Sequence, residues 1–448
     1  MPDDKQYITK RFNFNELTGI VRNSLDGKSS GIFKILLSVS IFITLFAILG
    51  LYLTTSKGLK LWGISNSIPW AMDITNFVFW IGISHAGSLI SAILFLFRQH
   101  WRAGIHRIAE AMTIFALFTA IIYPVFHTGR PWLTIFWVLP FPIQSGVWVN
   151  FKSPLMWDVF AILIYLISSL IFLYLGLIPD LAILSKKVKS VFLQKIYNFF
   201  SSFWIGSSKQ WSNYRATYLV IAGLITPLVL SVHSIVSFDF AVSLVPGWHT
   251  TIMPPYFVAG AIFSGCASLN ALLVLCRFLF KLEDIISVDV IEKVNKLMLV
   301  SGLMLAYSYL TEFFFVFYGA NSFENQSLIN RMTGEYRFVF WTMLTLNIII
   351  PQLLWFRKIR RNLSFSLFVS ILVLIGMWLE RYSIIVPNLA KDYISSNQNF
   401  YFPTLTEIMI LIGSFGLFMT LFLIFFRYFP IFSIYELSKL NIIKKNNE

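Results

Sequence analysis

Ten apolar runs, each about 20 residues long, constrain the fold of this chain more than any other feature. A run of that length crosses a bilayer core of roughly 30 Å as a helix. The runs are continuously apolar rather than alternating, and lipid leaves backbone polar groups no partner outside their own segment. We therefore predict helices and not barrel strands. The predicted spans are roughly 31–53, 72–97, 108–127, 155–177, 216–238, 255–278, 297–319, 337–357, 364–382 and 405–428.

The charges support an all-α multi-pass membrane protein and give it an orientation. Only 12% of the 448 residues are charged, against about a quarter in soluble domains, which excludes a water-soluble globular protein. If the N-terminus is cytoplasmic, about 27 of the 35 Lys and Arg residues fall in inner segments, and the alternation never breaks. This predicts an N-in/C-in topology. It also explains the net charge of +14 by topology and lipid headgroup contact rather than by nucleic acid.

The order of the spans predicts the domain organisation. Spans four apart run in the same direction, so spans 2–5 (about 72–238) and 6–9 (about 255–382) are expected to form two four-helix bundles flanked by single helices. The inner loop 178–215 is basic and aromatic, and both an interfacial helix and a solvated loop fit it. No cleavable signal peptide is expected, because the chain starts polar. We divide the chain into a cytoplasmic N-terminal segment (1–30), a ten-helix transmembrane domain (31–430) and a cytoplasmic basic tail (431–448).

The sequence offers no motif for a redox cofactor of its own. The two cysteines, Cys266 and Cys276, share one apolar segment, and neither CxxC nor CxxCH occurs. A four-helix cytochrome b would hold haem between histidines on facing helices. Here His85, His127 and His233 lie on three spans, and no span carries two histidines about 13–14 residues apart, as two stacked haems need. We expect this chain to bind neither haem nor an iron–sulfur cluster.

Titratable residues inside the spans are the strongest pointers to function. A charge at mid-bilayer costs roughly 2.5–3.5 kcal/mol on insertion scales, so such residues usually have a role. Most lie in the predicted outer half; Glu110, His100 and His106 lie towards the inner side. The outer and central group consists of Asp73, His85, His127, Asp158, His233, Asp239, His249, Glu312, Glu380 and Arg381.

Oxidation of a quinol is one chemistry that uses such groups. A quinol loses two protons with its two electrons, and a histidine with a pKa near the working pH takes up one of them. We predict that His127 and Asp158 face each other across a quinol pocket, with Arg130 beside them. The other eight residues of the group above are the candidate proton path. The aromatic residues near the pair are Trp132, Phe136, Trp137, Phe141, Trp148 and Trp157.

Structural roles remain open for several of these residues. His127 precedes a Gly–Arg–Pro stop and can cap the carbonyls of its helix. Asp158 lies in the first turn of its helix, where a carboxylate is favourable. His85 lies among small residues that favour close helix packing. Glu380 and Arg381 can form a plain ion pair at the membrane interface.

Several stretches resemble the NrfD/polysulfide-reductase family of membrane subunits over roughly residues 60–430. Within that family they are most similar to the quinol-oxidising membrane subunit of bacterial alternative complex III. The stretches are NFVFWIGISHAGSLISAILFLFRQHWR, AEAMTIFA, YPVFHTGRPW, SPLMWDVFAI, YLGLIPDLA and LSVHSIVSFDFAVSLVPGWHTT.

The resemblance implies a two-bundle fold in the bacterial inner membrane. It implies that menaquinol or ubiquinol is oxidised near the periplasmic face, with His127 and Asp158 as the quinol-site residues. The implied partners are a periplasmic iron–sulfur subunit, multihaem cytochrome c subunits and a second NrfD-like membrane subunit. Proton translocation is a further implied activity.

Two other functions fit the same sequence. An ion-coupled secondary transporter also has many spans, intramembrane acids and repeated bundles, although its site tends to lie at mid-membrane between broken helices. A non-catalytic membrane anchor of an electron-transfer complex would leave His127 and Asp158 with structural roles only.

Overall fold

The computed structural model describes residues 12–27, 29–134, 152–391 and 400–439. The described residues are all-helical, without a β-strand, and ten of their helices are long and apolar enough to cross a membrane. This confirms the all-α class and the ten spans. The ten are α2 (Gly31–Lys57), α3 (Met72–Leu96), α4 (His106–His127), α5 (Pro154–Leu184), α7 (Ser208–Ala241), α8 (Met253–Leu279), α9 (Val288–Gly319), α11 (Arg337–Trp355), α12 (Leu363–Ala390) and α13 (Leu405–Tyr428).

Some helices extend well beyond their apolar runs. α7 begins eight residues earlier than predicted because Ser207 caps it and Gln210 closes a capping box. α12 continues through Pro387 to Ala390, beyond its predicted end at 382. Hydropathy locates the lipid-soluble part of a helix and not its polar ends. The two predicted spans are therefore shorter than the helices that contain them.

Helix α3 occupies the centre of the molecule. It contacts α4, α7, α8 and α12, and almost its whole length is buried. In the first half of the chain α5 contacts α7, and in the second half α8 contacts α9 and α12. Helices α2 and α13 pair with each other at the periphery. The grouping into two four-helix bundles and the N-in/C-in orientation stay predictions.

Helix α11 is the span with an irregular backbone. Its regular α-helix ends at Leu344 and is followed by a π turn, Thr345–Ile349, and a 3-10 turn, Ile350–Trp355. Pro124 and Pro227 instead lie within continuous helices α4 and α7. A π turn leaves backbone groups out of the regular pattern and often marks a functional position.

Three short helices, α1 (Phe14–Asp26), α6 (Val191–Phe200) and α10 (Ser322–Thr333), lie outside the spans. α6 falls in the loop for which an interfacial helix was one alternative; it buries Leu193 and exposes Phe199. Its place in a membrane interface stays a prediction. The start of the predicted tail packs into the domain, because residues 434–439 are helical and Ile434 and Leu437 are buried.

Candidate functional site

A hydrogen bond between His127 and Asp73 lies at one end of the bundle. We call this end, which also carries Asp158, the outer end, after the predicted orientation. Asp73 is in the first turn of α3, a favourable position for a carboxylate, and His127 is the last residue of α4. Nδ1 of His127 contacts Oδ2 of Asp73. Asp73 is buried, whereas the His127 side chain keeps 27% of its surface exposed, so the imidazole is accessible and its orientation is fixed.

Asp158 has a second carboxyl group as its neighbour. Its electrostatic neighbour is Asp239, which α7 places against α5. Oδ1 of each carboxyl group is buried without a hydrogen-bond partner. In the described residues His127 is hydrogen-bonded to Asp73, and Asp158 has Asp239 as its electrostatic neighbour; that His127 and Asp158 face each other across a quinol pocket stays a prediction. Two interacting carboxyl groups, each with one unsatisfied oxygen, suit a site that takes up a proton.

The residues predicted to surround the quinol ring, Arg130, Trp132 and Trp157, lie at the exposed rim of the outer end. Arg130 is exposed, and the side chains of Trp132 and Trp157 are 60% and 42% exposed. Gly129 has a φ of +70°, which lets the chain turn sharply after α4. The other aromatic residues expected here, Phe136, Trp137, Phe141 and Trp148, lie outside the described residues.

Two buried histidines meet deeper in the bundle. The rings of His85 and His233 lie 4.6 Å apart, and His85 stacks on Tyr165 at 4.7 Å. Nδ1 of His85 lies 2.6 Å from the carbonyl oxygen of Ile81, which leaves its Nε2 free of partners; both ring nitrogens of His233 are also buried and unpaired. The small residues around His85 therefore pack it against a second imidazole. The sequence flagged both residues but not their contact.

Arg381 continues this arrangement towards the second half of the chain. Its guanidinium lies 4.3 Å from the ring centroid of Phe257, which in turn neighbours His233 at 5.9 Å. Arg381 and Glu380 form a fully buried ion pair of 3.1 Å. The plain ion pair that the sequence allows is therefore present, and both side chains are buried within the protein.

The Glu380 carboxylate also joins the irregular helix α11. It accepts a hydrogen bond from the Tyr309 hydroxyl, to which Nδ2 of Asn347 donates at 3.0 Å. Asn347 belongs to the π turn. Tyr309 and Asn347 were missed from the sequence, because neither carries a charge and a π turn leaves no simple pattern.

Glu312 and His249 have separate surroundings at the outer end. Glu312 pairs with Arg331 of α10 at 2.7 Å, and both side chains are buried. His249 is exposed in the loop before α8 and lies near Glu324. Burial raises the pKa of Glu324, which accepts a hydrogen bond of 2.6 Å from the Gly247 N–H.

A second cluster of buried charges lies at the opposite, inner end. Arg102 binds both carboxylate oxygens of Glu436, at 2.5 and 2.7 Å, and also contacts the Tyr218 hydroxyl. That hydroxyl lies 3.2 Å from Oε1 of Glu110, which also accepts from Ser91 at 2.7 Å. Burial alone would raise the pKa of Glu436, but the Arg102 guanidinium outweighs it and holds the pKa at about 2. The sequence singled out Glu110 and His106, whose Nδ1 lies 3.7 Å from Glu436, but not Arg102, which was counted as a topology charge.

Hydroxyl groups lie between the inner cluster and the two histidines. Ser84, Ser88 and Ser91 share one face of α3 through spacings of four and three residues. Ser88 contacts the Ser169 hydroxyl at 3.3 Å, and the Tyr165 hydroxyl donates to the Ser84 carbonyl at 2.8 Å. Polar side chains therefore follow one another from Glu110 to His85.

The described residues contain no group of three or more His, Cys, Asp or Glu side chains that could hold a metal ion. Cys266 and Cys276 are free thiols buried in α8. The arrangement as a whole is thus a set of buried acid–base groups, with one accessible histidine at the outer end.

Comparison with known proteins identifies the class. The family model described as polysulphide reductase, NrfD, matches residues 60–391, and the chain belongs to this family. The chain is 23% identical over 424 residues to a selenate reductase subunit of Mesobacillus selenatarsenatis, covering 89% of this chain and 95% of that protein. It is 23% identical over 205 residues to a putative dimethyl sulfoxide reductase membrane subunit of Halobacterium salinarum, covering 45% and 42% of the two chains. The chain is therefore a multi-pass membrane subunit of a reductase-type complex.

Proposed function

We propose that this protein oxidises quinol at its outer end and passes the electrons to a partner subunit. The observation that carries the proposal is the hydrogen bond between His127 and Asp73, in which a buried carboxylate orients a partly exposed imidazole. A histidine held in this way is a suitable general base for a quinol hydroxyl. In this proposal Asp73 orients the imidazole.

The two protons of the quinol need two acceptors. In our proposal Nε2, the other ring nitrogen of His127, accepts the first, while Asp73 stabilises the imidazolium that forms. The Asp158–Asp239 pair accepts the second, because two neighbouring carboxyl groups hold a shared proton well. Both protons then leave at the outer end, and the quinol becomes a quinone by losing two electrons.

The electrons must leave through another protein. The sequence of this chain offers no haem or cluster motif, so we propose an iron–sulfur subunit on the outer surface as the immediate acceptor. The names of both relatives, which are reductase subunits, support onward transfer to a reductase. The resemblance to alternative complex III supports multihaem cytochrome c subunits and a second NrfD-like membrane subunit instead. In both alternatives quinol oxidation by this chain is the first step, and only the later electron acceptor differs.

Proton translocation is a second candidate activity. Polar side chains follow one another from Glu110 to His85, and from His233 to Arg381 and Glu380. We call these residues the polar file, and their arrangement favours proton translocation. Buried histidines with unpaired nitrogens can pass a proton between neighbouring groups. We propose that quinol oxidation at the outer end is coupled to proton movement along this file.

Isolation of the intact complex tests the proposal. We would purify the tagged chain in a gentle detergent, identify the co-purifying subunits by mass spectrometry, and measure quinol-dependent reduction of an artificial acceptor. An iron–sulfur subunit with quinol-dependent turnover is the expected result. A chain that purifies alone and does not oxidise quinol would contradict it. Uptake of a substrate by liposomes carrying that chain would then favour the transporter.

A further inference from the structure

A cavity of about 210 Å³ lies between α2, α4 and α13, in the outer half of the membrane domain. Its lining is apolar except for a few hydroxyl groups. The volume is below the range of complete ligand sites, roughly 300–1,000 Å³, so the cavity suits one segment of a longer molecule. The residues that line it include Thr44, Ala47 and Ile48 of α2, Thr119 and Tyr123 of α4, and Ser414 of α13.

The cavity leads towards the proposed base. Thr119, Tyr123 and His127 are spaced by four residues and share one face of α4. The Tyr123 hydroxyl is buried near the polar side chains of Ser414, Trp80 and Asn76, none of which meets it in hydrogen-bonding geometry, and it interacts electrostatically with Asp73. A molecule lying along this face therefore meets a free hydroxyl first and the His127–Asp73 pair one turn later.

The other wall of the cavity is formed by two closely packed helices, and the cavity mouth lies at the exposed surface of α2. α2 and α13 approach so closely that a Cβ atom on Gly413 would overlap the backbone of Ala47. α2 has few contacts with α4, and Ile48 at the cavity mouth is 58% exposed. Close backbone contact thus holds α2 against α13, while the sparse contact between α2 and α4 leaves that side of the cavity less closed.

We propose that this cavity is the lateral entrance of the quinol and holds the start of its isoprenoid chain, with the Tyr123 hydroxyl bound to the ring substituent next to it. The inference rests on the proposed function. The chain lies along Thr119 and Ile48, and the ring lies at His127. An apolar lining selects an isoprenoid chain, and a single unpaired hydroxyl orients the polar ring.

Two tryptophan variants of neighbouring residues on α2 test the entrance. Ile48→Trp fills the cavity mouth, whereas Leu49→Trp adds the same side chain one residue on, at an exposed position that does not line the cavity. We expect Ile48→Trp to raise the KM of a long-chain quinol at least fivefold and to leave the KM of a quinol without an isoprenoid chain unchanged. Leu49→Trp should match the wild type with both. Equal KM values for the two variants would overturn the proposal.

A photoreactive quinone with an isoprenoid chain gives a readout that does not depend on turnover. We expect it to label wild-type peptides from α2 or α4 that line the cavity, and Ile48→Trp to lose this label. Labelling of the cavity by a photoreactive phospholipid that excess quinol does not displace would assign it to lipid and overturn the proposal. If Ile48→Trp behaves as wild type while His127→Ala stops quinol oxidation, the proposed entrance is wrong and the proposed function stands. If the wild-type complex does not oxidise quinol, the proposed function is wrong.

Discussion

The imidazole of His127 is hydrogen-bonded to the carboxylate of Asp73, across the outer ends of α4 and α3. The partner of His127 is therefore 54 residues away in the sequence, on the helix that occupies the centre of the molecule. This relationship converts a histidine that could have been a simple helix cap into an oriented acid–base group. It gives the function a geometric basis that can be tested residue by residue.

Replacement of Asp73 by Asn should slow quinol oxidation without weakening quinol binding. The amide cannot stabilise the imidazolium, so we expect kcat to fall by about 10²-fold while KM stays within about twofold. The measurement is steady-state quinol oxidation by the purified complex. In the double variant with His127→Ala the loss should be no larger than in His127→Ala alone, because the two residues act as one unit. Additive losses would show that Asp73 acts elsewhere.

The Asp158–Asp239 pair should be needed for quinol oxidation but should lower the stability of the fold. Asp158→Asn removes repulsion between the buried Asp158 and the half-buried Asp239 carboxyl groups, so we expect the melting temperature to rise by about 2–4 °C while turnover falls at least about tenfold. Thermal unfolding and quinol oxidation of the same preparation provide the check. Glu335→Gln, an exposed outer-side acid, is the control and should change neither property. A variant with wild-type turnover would remove Asp158 from the proposed site.

His233→Phe should separate electron transfer from proton movement. The variant keeps an aromatic ring beside His85 but cannot carry a proton, so quinol oxidation with an artificial acceptor should stay within about threefold of the wild type. Proton transfer across liposomes carrying the complex should be lost. His100→Phe, at an exposed inner-side position, should leave proton transfer intact. If His233→Phe translocates protons normally, the file does not include this residue.

Glu436 should stabilise the inner end of the domain in a pH-dependent way. Its pKa is held at about 2, below the ordinary value of 4.5. A depressed folded-state pKa contributes stability above pH 4.5, and this contribution is lost as pH falls towards 2. The shift corresponds to roughly 3 kcal/mol, and we expect Glu436→Gln to lower the melting temperature at pH 7. Glu283→Gln, an exposed inner-side acid, should have no effect; equal melting temperatures for the two variants would contradict this account.

The sequence predicted the ten spans because length and hydropathy decide whether a helix is stable in lipid. It also identified the titratable residues of the outer half, since each is conspicuous among apolar neighbours. It could not predict which of them meet, because pairing depends on how each helix is rotated about its axis. That Asp73 is the hydrogen-bond partner of His127 is therefore known only from the structure.

Residues without an unusual charge were missed for another reason. Tyr123 is an ordinary residue near a membrane interface, and its importance comes from a cavity that α2 and α13 form around it. Arg102 fits the count of inner-side charges, yet it is buried and binds Glu436 from the end of the chain. Contacts over such distances in sequence leave no local pattern.

The most direct test of the central claim is the rate of quinol oxidation by the purified complex carrying His127→Ala. The account predicts a fall in kcat of about 10²–10⁴-fold, the range of a lost general base, with all partner subunits still bound. A normally assembled His127→Ala complex that oxidises quinol at the wild-type rate would contradict it.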